Sequence, residues 1–109
     1  MRELGIEDLR SAVLNGRVRI TDRAEEGARS DGLTIEGVFE SLFKGEVVES
    51  LPTQRPYPSW LVVGRGDDRP VHSVWSCNAK NGWAVLIRCT VAAPNQEENP
   101  EPTQVKVNP

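Results

Sequence analysis

One histidine and two cysteines are all the imidazole and thiol groups that 109 residues provide. A structural zinc site takes four such ligands, and this chain musters three. No Cys-x-x-Cys pair, glycine-rich phosphate loop or nucleophile elbow occurs, so zinc ribbons, P-loop hydrolysis and α/β-hydrolase chemistry have no footing. Neither a cofactor nor a metal is expected. No run of about 18 apolar residues is present, which excludes a spanning helix. The opening stretch MRELGIEDLR is charged from its second residue and lacks the apolar core of a secretory signal. The expectation is a cytoplasmic protein with no membrane contact. Its length suits one hydrophobic core.

Positive charge is also short overall, with a net charge of −3. It is unevenly spread. Residues 1–54 carry seven Lys/Arg against eleven Asp/Glu, whereas residues 55–93 carry five (Arg55, Arg65, Arg69, Lys80, Arg88) against Asp67 and Asp68. The middle of the chain is therefore locally cationic. A dedicated nucleic-acid binder usually shows a stronger basic excess, which lowers that class without removing it.

What is present reads as helices followed by strands. Ile6, Leu9 and Val13 recur at helical spacing and Asn15-Gly16 ends them, predicting a helix over about 5–14. RVRI (17–20) is a short β-prone segment. Thr21 or Asp22 caps a second helix whose Asp22/Glu25 spacing fits a capping box. Its apolar content is only Ala24 and Ala28, so it must pack closely. Thr34 caps a third helix, where Ile35, Val38, Phe39, Leu42 and Phe43 form a full apolar stripe ended by Lys44-Gly45. IEDLRSAVLNGRV (6–18) and IEGVFESLFKGEV (35–47) align without gaps, which we read as convergence on good helix-to-strand loop chemistry.

From residue 46 the period becomes that of strands: EVVES, then a proline-rich loop, then 60–65, 71–77 and 83–91, joined by GDDRP and NAKNG. Short connections imply antiparallel pairing. The predicted fold is α+β, with the N-terminal helices packed on one face of an antiparallel sheet of three to four strands. Residues 1–93 form the domain. The proline- and charge-rich segment 94–109 is expected to be a disordered tail. A tight hairpin over 78–82 pairs residues whose numbers sum to 160–163, while Cys77 and Cys89 sum to 166. They would stand on the order of 10 Å apart along the strand, too far for a disulfide. Two free thiols follow, as suits a reducing compartment.

His72 lies mid-strand, sharing a face with Val74 and Ser76 by alternation. An even hairpin sum places Arg88 on that face and an odd sum places it on the other; the turn sequence leaves this open. The sharpest functional reading makes His72 a general acid or base and Arg88 the stabiliser of a phosphoryl charge, with Arg65 or Arg69 nearby. The plain reading is a half-buried strand histidine beside solvated arginines. Trp60, Trp75 and Trp83 invite a stacking interpretation but lie at or within strands, so they are expected in the core, and Arg65-Gly66-Asp67 matches a cell-adhesion tripeptide by coincidence. Arg23 stands in the first turn of the second helix, where the positive helix end disfavours a cation. It must reach a carboxylate or a phosphate, and a local salt bridge is the simpler choice.

ITDRA (20–24), LTIEGVFESLFKGEVVES (33–50), RPYPSWLVVGR (55–65), RPVHSVW (69–75) and TVAAP (90–94) together resemble a bacterial family known as domain of unknown function 4258. Several motifs fall in the family's order, covering about 20–94. The resemblance implies an architecture similar to RelE-like ribonuclease toxins, with an antitoxin-like protein or RNA as partner. His72 matches the family's second histidine, Arg23 replaces the first, and Ala92 replaces a tyrosine. Losing two proton-transfer groups argues for a protein- or RNA-binding module. The alternative it implies is a metal-independent endoribonuclease using His72 and Arg88, with Arg23, Arg65 and Arg69 binding.

Overall fold

A computed structural model describes residues 5–51 and 58–92. The chain builds three helices and five strands in the order α1 (Ile6–Leu14), β1 (Val18–Ile20), α2 (Asp22–Asp31), α3 (Ile35–Lys44), β2 (Glu46–Leu51), β3 (Ser59–Gly66), β4 (Arg69–Cys77) and β5 (Ala84–Val91). The expected tail, 94–109, and most of the proline-rich loop lie outside the described residues.

Local chemistry sets the helix starts. Asp8 reaches back to accept the Gly5 N–H at 2.8 Å, and the Thr21 hydroxyl accepts from the Ala24 N–H at 3.1 Å. The Thr34 hydroxyl does the same for the Gly37 N–H at 2.9 Å. Each satisfies a donor that has no partner inside its own helix. Thr21, rather than Asp22, is thus the second cap. At the other end of α3, Arg10 of α1 donates to the carbonyls of Leu42 and Gly45 at 3.1 and 2.9 Å, tying the two helices together.

The sheet runs β1-β5-β4-β3-β2. Four strands are antiparallel, as expected, but the sheet is five-stranded and mixed. RVRI does not stand alone; β1 pairs in parallel with β5, Val18 opposite Ala84 and Ile20 opposite Leu86. Three residues suffice because the Ala84 N–H also donates to Arg17 and the Thr21 N–H donates to Leu86. The two helix–glycine–strand echoes supply the two outer strands, β1 and β2. On β2 a register shift at Val48, together with Glu46 and Glu49, spoils the edge for further pairing.

Directly opposed residues share a face. Trp60, Val62, Val71, Ser73, Trp75, Cys77, Ala84, Leu86 and Cys89 turn to the side covered by α1 and α3, where Leu9, Ala12, Val38 and Leu42 complete the core. The indole N–H of Trp75 is buried and donates to the Ser73 hydroxyl at 2.9 Å, so the largest core side chain leaves no orphan donor. Phe39 packs against the Trp75 ring at 6.3 Å between centroids. The stripe on α3 is narrower than expected. Phe43 lies at the surface, and Gly37 and Ser41 take the buried positions because Gly66 and Gly64 bring the β3 backbone against them.

α2 departs from the one-face expectation. It lies along the outer edge of β5, beyond the point where β1 ends. The Thr21 hydroxyl donates to the Ile87 carbonyl at 2.7 Å, and the Asp31 carboxylate accepts from the Val91 N–H at 2.8 Å and the Thr90 hydroxyl at 2.7 Å. These bonds, from Val91 first and Thr90 second, hold the Asp31 carboxyl below its ordinary pKa. Between them Gly27 sits against Cys89, where an added Cβ would meet the Cys89 carbonyl oxygen at 2.5 Å. The helix thus substitutes for a sixth strand.

The two cysteines are free. Cys77 opposes Ala84 and Cys89 opposes Ser73, roughly 13 Å apart along β4.

Two substitutions test this packing by the sign of their effect. In an ordinary helix interior Gly→Ala stabilises by about 1 kcal/mol. Gly27→Ala is expected to destabilise instead, by about 1–3 kcal/mol in urea denaturation, because the methyl group drives α2 off the strand. The β3–β4 hairpin turns on Asp67 and Asp68, both left-handed at φ 55° and 60°. Asp68→Gly is expected to stabilise by about 0.5 kcal/mol through relief of that conformation. Asp67→Gly is expected to destabilise by about 1 kcal/mol, since Asp67 also accepts the Thr34 N–H at 2.8 Å and the Thr34 hydroxyl at 3.0 Å.

Candidate functional site

The open face of the sheet carries Leu61, Val63, His72, Val74, Ser76, Val85, Arg88 and Thr90, by the register. The question of parity has an answer in two parts. The β4–β5 hairpin begins with an odd sum, Cys77 opposite Ala84 through Trp75 opposite Leu86. A bulge then shifts it to an even one, Val74 opposite Arg88 and His72 opposite Thr90. The extra residue, Ile87, therefore places Arg88 diagonally across from His72 on one face. The NAKNG connector alone could not reveal this, because the shift occurs three residues into the strand.

There the face is hollowed. A depression of about 430 Å³ is lined by Arg23, Gly27, Leu61, His72, Val74, Arg88, Cys89 and Thr90. Three of the residues singled out from the sequence meet in it: Arg23 from the first turn of α2, His72 from β4 and Arg88 from β5. Arg23 gets there because α2 lies at the sheet edge, so its first turn overhangs the open face. The expected local salt bridge is not formed. Among the described residues neither Arg23 nor Arg88 has a carboxylate within ion-pairing distance, whereas Lys44 pairs with Glu40 at 2.6 Å. Arg65 and Arg69 do not line the hollow. Arg65 donates to the Asp68 carbonyl at 2.8 Å across the hairpin turn, and Arg69 donates to the Gly32 carbonyl at 2.7 Å past the end of α2.

Several of the remaining polar groups are already engaged or sealed. The Thr90 hydroxyl is committed to Asp31. The Cys89 thiol makes a 3.5 Å contact with the Ala24 carbonyl, and burial, reinforced by Asp31, pushes its pKa up. It stays a neutral thiol and a poor nucleophile. His72 is half-buried, and burial lowers its pKa from the ordinary 6.5. Its Nε2 is closed off from solvent with no hydrogen-bond partner among the described residues. The imidazole is therefore neutral at pH 7 and acts as part of a floor shared with Leu61 and Val74. Among the described residues no grouping of three His, Cys, Asp or Glu that could hold a metal ion occurs. Two free guanidinium ions stand over a largely apolar floor, an arrangement suited to an anion attached to something flat and partly apolar.

Sequence reasoning reached Arg23, His72 and Arg88 but missed Leu61, Gly27 and Thr90. Leu61 gives no signal of its own, since a strand leucine is ordinarily core. Gly27, inside a helix otherwise rich in charge, was the available hint of a close approach.

The model of one protein family, described as Domain of unknown function (DUF4258), matches residues 20–91. No curated protein matches the chain, and no solved structure does. The matched span runs from the last residue of β1 to the end of β5 and contains every residue lining the hollow. Among the described residues no helix is long and apolar enough to cross a membrane.

His72 can be tested directly. Its lowered pKa means the unfolded chain takes up a proton before the folded one does. Its contribution to stability is full above pH 6.5 and falls as pH drops from 6.5 towards the folded-state pKa. His72→Phe is expected to flatten that part of the stability profile. At pH 7 it should leave stability unchanged or raise it by about 0.5–1 kcal/mol, because an unpaired buried nitrogen is removed. An NMR titration giving an imidazole pKa above 6.5 would contradict this account.

Proposed function

The chain belongs to the DUF4258 family, and from its hollow we propose that it is a binding module for a phosphate-bearing partner, RNA in the first place. Arg23 and Arg88, unpaired and converging from two different elements, carry this reading. Paired arginines recognise phosphate oxygens in a planar, bidentate manner. The apolar floor of Leu61, Val74 and the neutral His72 suits the face of a base or a ribose. The acidic balance of the chain restricts attraction to this cationic spot, so binding is expected to be modest and salt-sensitive.

Kinship with RelE-like toxins, a bacterial source, a cytoplasmic location and an antitoxin-like protein partner belong to the same proposal and rest on sequence resemblance. The ribonuclease alternative finds less support in the geometry. Cleavage through the 2′-hydroxyl needs a group to take a proton and another to give one. The hollow holds a single imidazole, whose Nε2 is sealed, and its arginines do not release protons, so one ring nitrogen would have to serve both steps.

Fluorescence anisotropy with a labelled single-stranded RNA tests the reading. Two or three phosphate contacts predict a roughly 10-fold loss of affinity between 50 and 200 mM salt. Arg23→Ala with Arg88→Ala is expected to weaken binding at least 10-fold and to flatten the salt dependence. Wild-type protein that ignores RNA at 50 mM salt, or a double variant that binds equally well, would remove the proposal. RNA cleavage abolished by His72→Ala would replace it with the enzymatic one.

A further inference from the structure

Trp83 is out of place. Trp60 and Trp75 are 7% and 0% exposed, as core tryptophans should be, whereas Trp83 is 39% exposed. It borders a second depression of about 300 Å³, together with Arg19, Asn78, Asn81 and Val85. Arg19 opposes Val85 in the β1–β5 pair, and Ser76 opposes Val85 in the β4–β5 pair. Both therefore lie on the face that carries His72. The bulge at Ile87 has a second effect here. Val85 and Arg88, three residues apart, would normally point to opposite sides; the extra residue returns them to the same one. The two depressions thus lie on one face, about 10 Å apart along β5.

We propose that the second depression is a nucleobase-stacking site, so that the open face is a track for single-stranded RNA. This rests on the function proposed above and adds where the strand runs and what holds its neighbouring base. The loop before Trp83 is braced for the role. Asn78 Oδ1 accepts the Lys80 N–H at 2.8 Å, and Asn81 Oδ1 accepts the Trp83 N–H at 3.0 Å. The Gly82 N–H donates to the Asn78 carbonyl at 2.7 Å, and the Asn78 N–H donates to the Trp83 carbonyl at 2.9 Å. With both amide oxygens used, each asparagine keeps its NH₂ group for an outside acceptor, such as a base carbonyl. Arg19 has no carboxylate partner among the described residues and adds a third cation to the line Arg19, Arg88, Arg23. An indole face, free amide donors and a cation on the backbone side are what an unstacked base requires. A tetranucleotide, the small end of the range for single-strand binding domains, is long enough to reach both sites.

The test uses a fluorescein-labelled uridine tetranucleotide, read by anisotropy, with Trp83→Ala, Trp83→Phe and the Arg23→Ala, Arg88→Ala pair. Loss of one base stack is expected to weaken tetranucleotide binding 5- to 100-fold in Trp83→Ala. Trp83→Phe should recover most of that. Competition by inorganic phosphate, which has no base to stack, should give the same inhibition constant in wild type and Trp83→Ala. A tetranucleotide that depends on the arginines but is indifferent to Trp83→Ala overturns the track while leaving the arginine site standing. A tetranucleotide that does not bind the wild type at all overturns both.

Discussion

Helix α2 lies where a strand would otherwise be, and much of the molecule follows from that substitution. An unpaired strand edge is costly when buried and hazardous when exposed. β1 covers the outer edge of β5 for three residues and stops at Ile20. Beyond it, the Thr21 hydroxyl, the contact of Gly27 with Cys89 and the Asp31 carboxylate meet the remaining backbone groups in turn. A helix backbone can approach a strand so closely only where a side chain is missing, and Gly27 supplies the gap. The small residues Ala24 and Ala28, poor in apolar surface, fit the same constraint: they bury completely because α2 is pressed sideways into the sheet and not laid over it.

The same placement brings an otherwise awkward cation into use. In the first turn of a helix lying over a sheet, Arg23 would face solvent or the core. At the sheet edge it leans over the opposite surface. There the β5 bulge has already turned Arg88 towards His72. Two departures from regularity, one helix on an edge and one extra residue in a strand, therefore create the hollow. To the core α2 adds only the small side chains of Ala24 and Ala28. Irregularities that do not serve packing are where a fold commonly carries its binding surface.

The elements themselves were largely legible. Capping threonines, Gly16 and Gly32 after the first two helices, and the GDDRP and NAKNG turns all stand where local chemistry puts them. What escaped was relational. Nothing in RVRI says that it will pair in parallel with a segment more than sixty residues later, because a three-residue strand holds no register information beyond its alternation. The stripe on α3 overstated Phe43, since periodicity marks an apolar face but not which part of it meets the sheet. Trp83 was assigned to the core as an aromatic at a strand, although it stands just before β5 begins. The hollow was half visible: His72 and Arg88 could be named, but the bulge that joins them was invisible, and Arg65 and Arg69 were drawn in by sequence proximity although each closes a nearby turn or helix end.

Pairing between β1 and β5 joins residues 66 positions apart, Val18 to Ala84. On the ribosome, α1, β1 and α2 emerge well before the strand that completes them. Until β5 arrives, Ala24, Ala28 and Ile20 have no surface to bury against, and the bonds made by Thr21 and Asp31 cannot form. Such distant closure slows folding and lengthens the time during which unfinished edges are exposed. The low apolar content and dense charge of α2 (Asp22, Arg23, Glu25, Glu26, Arg29 and Asp31) suit a segment that must wait in water while the nascent sheet is still one strand short.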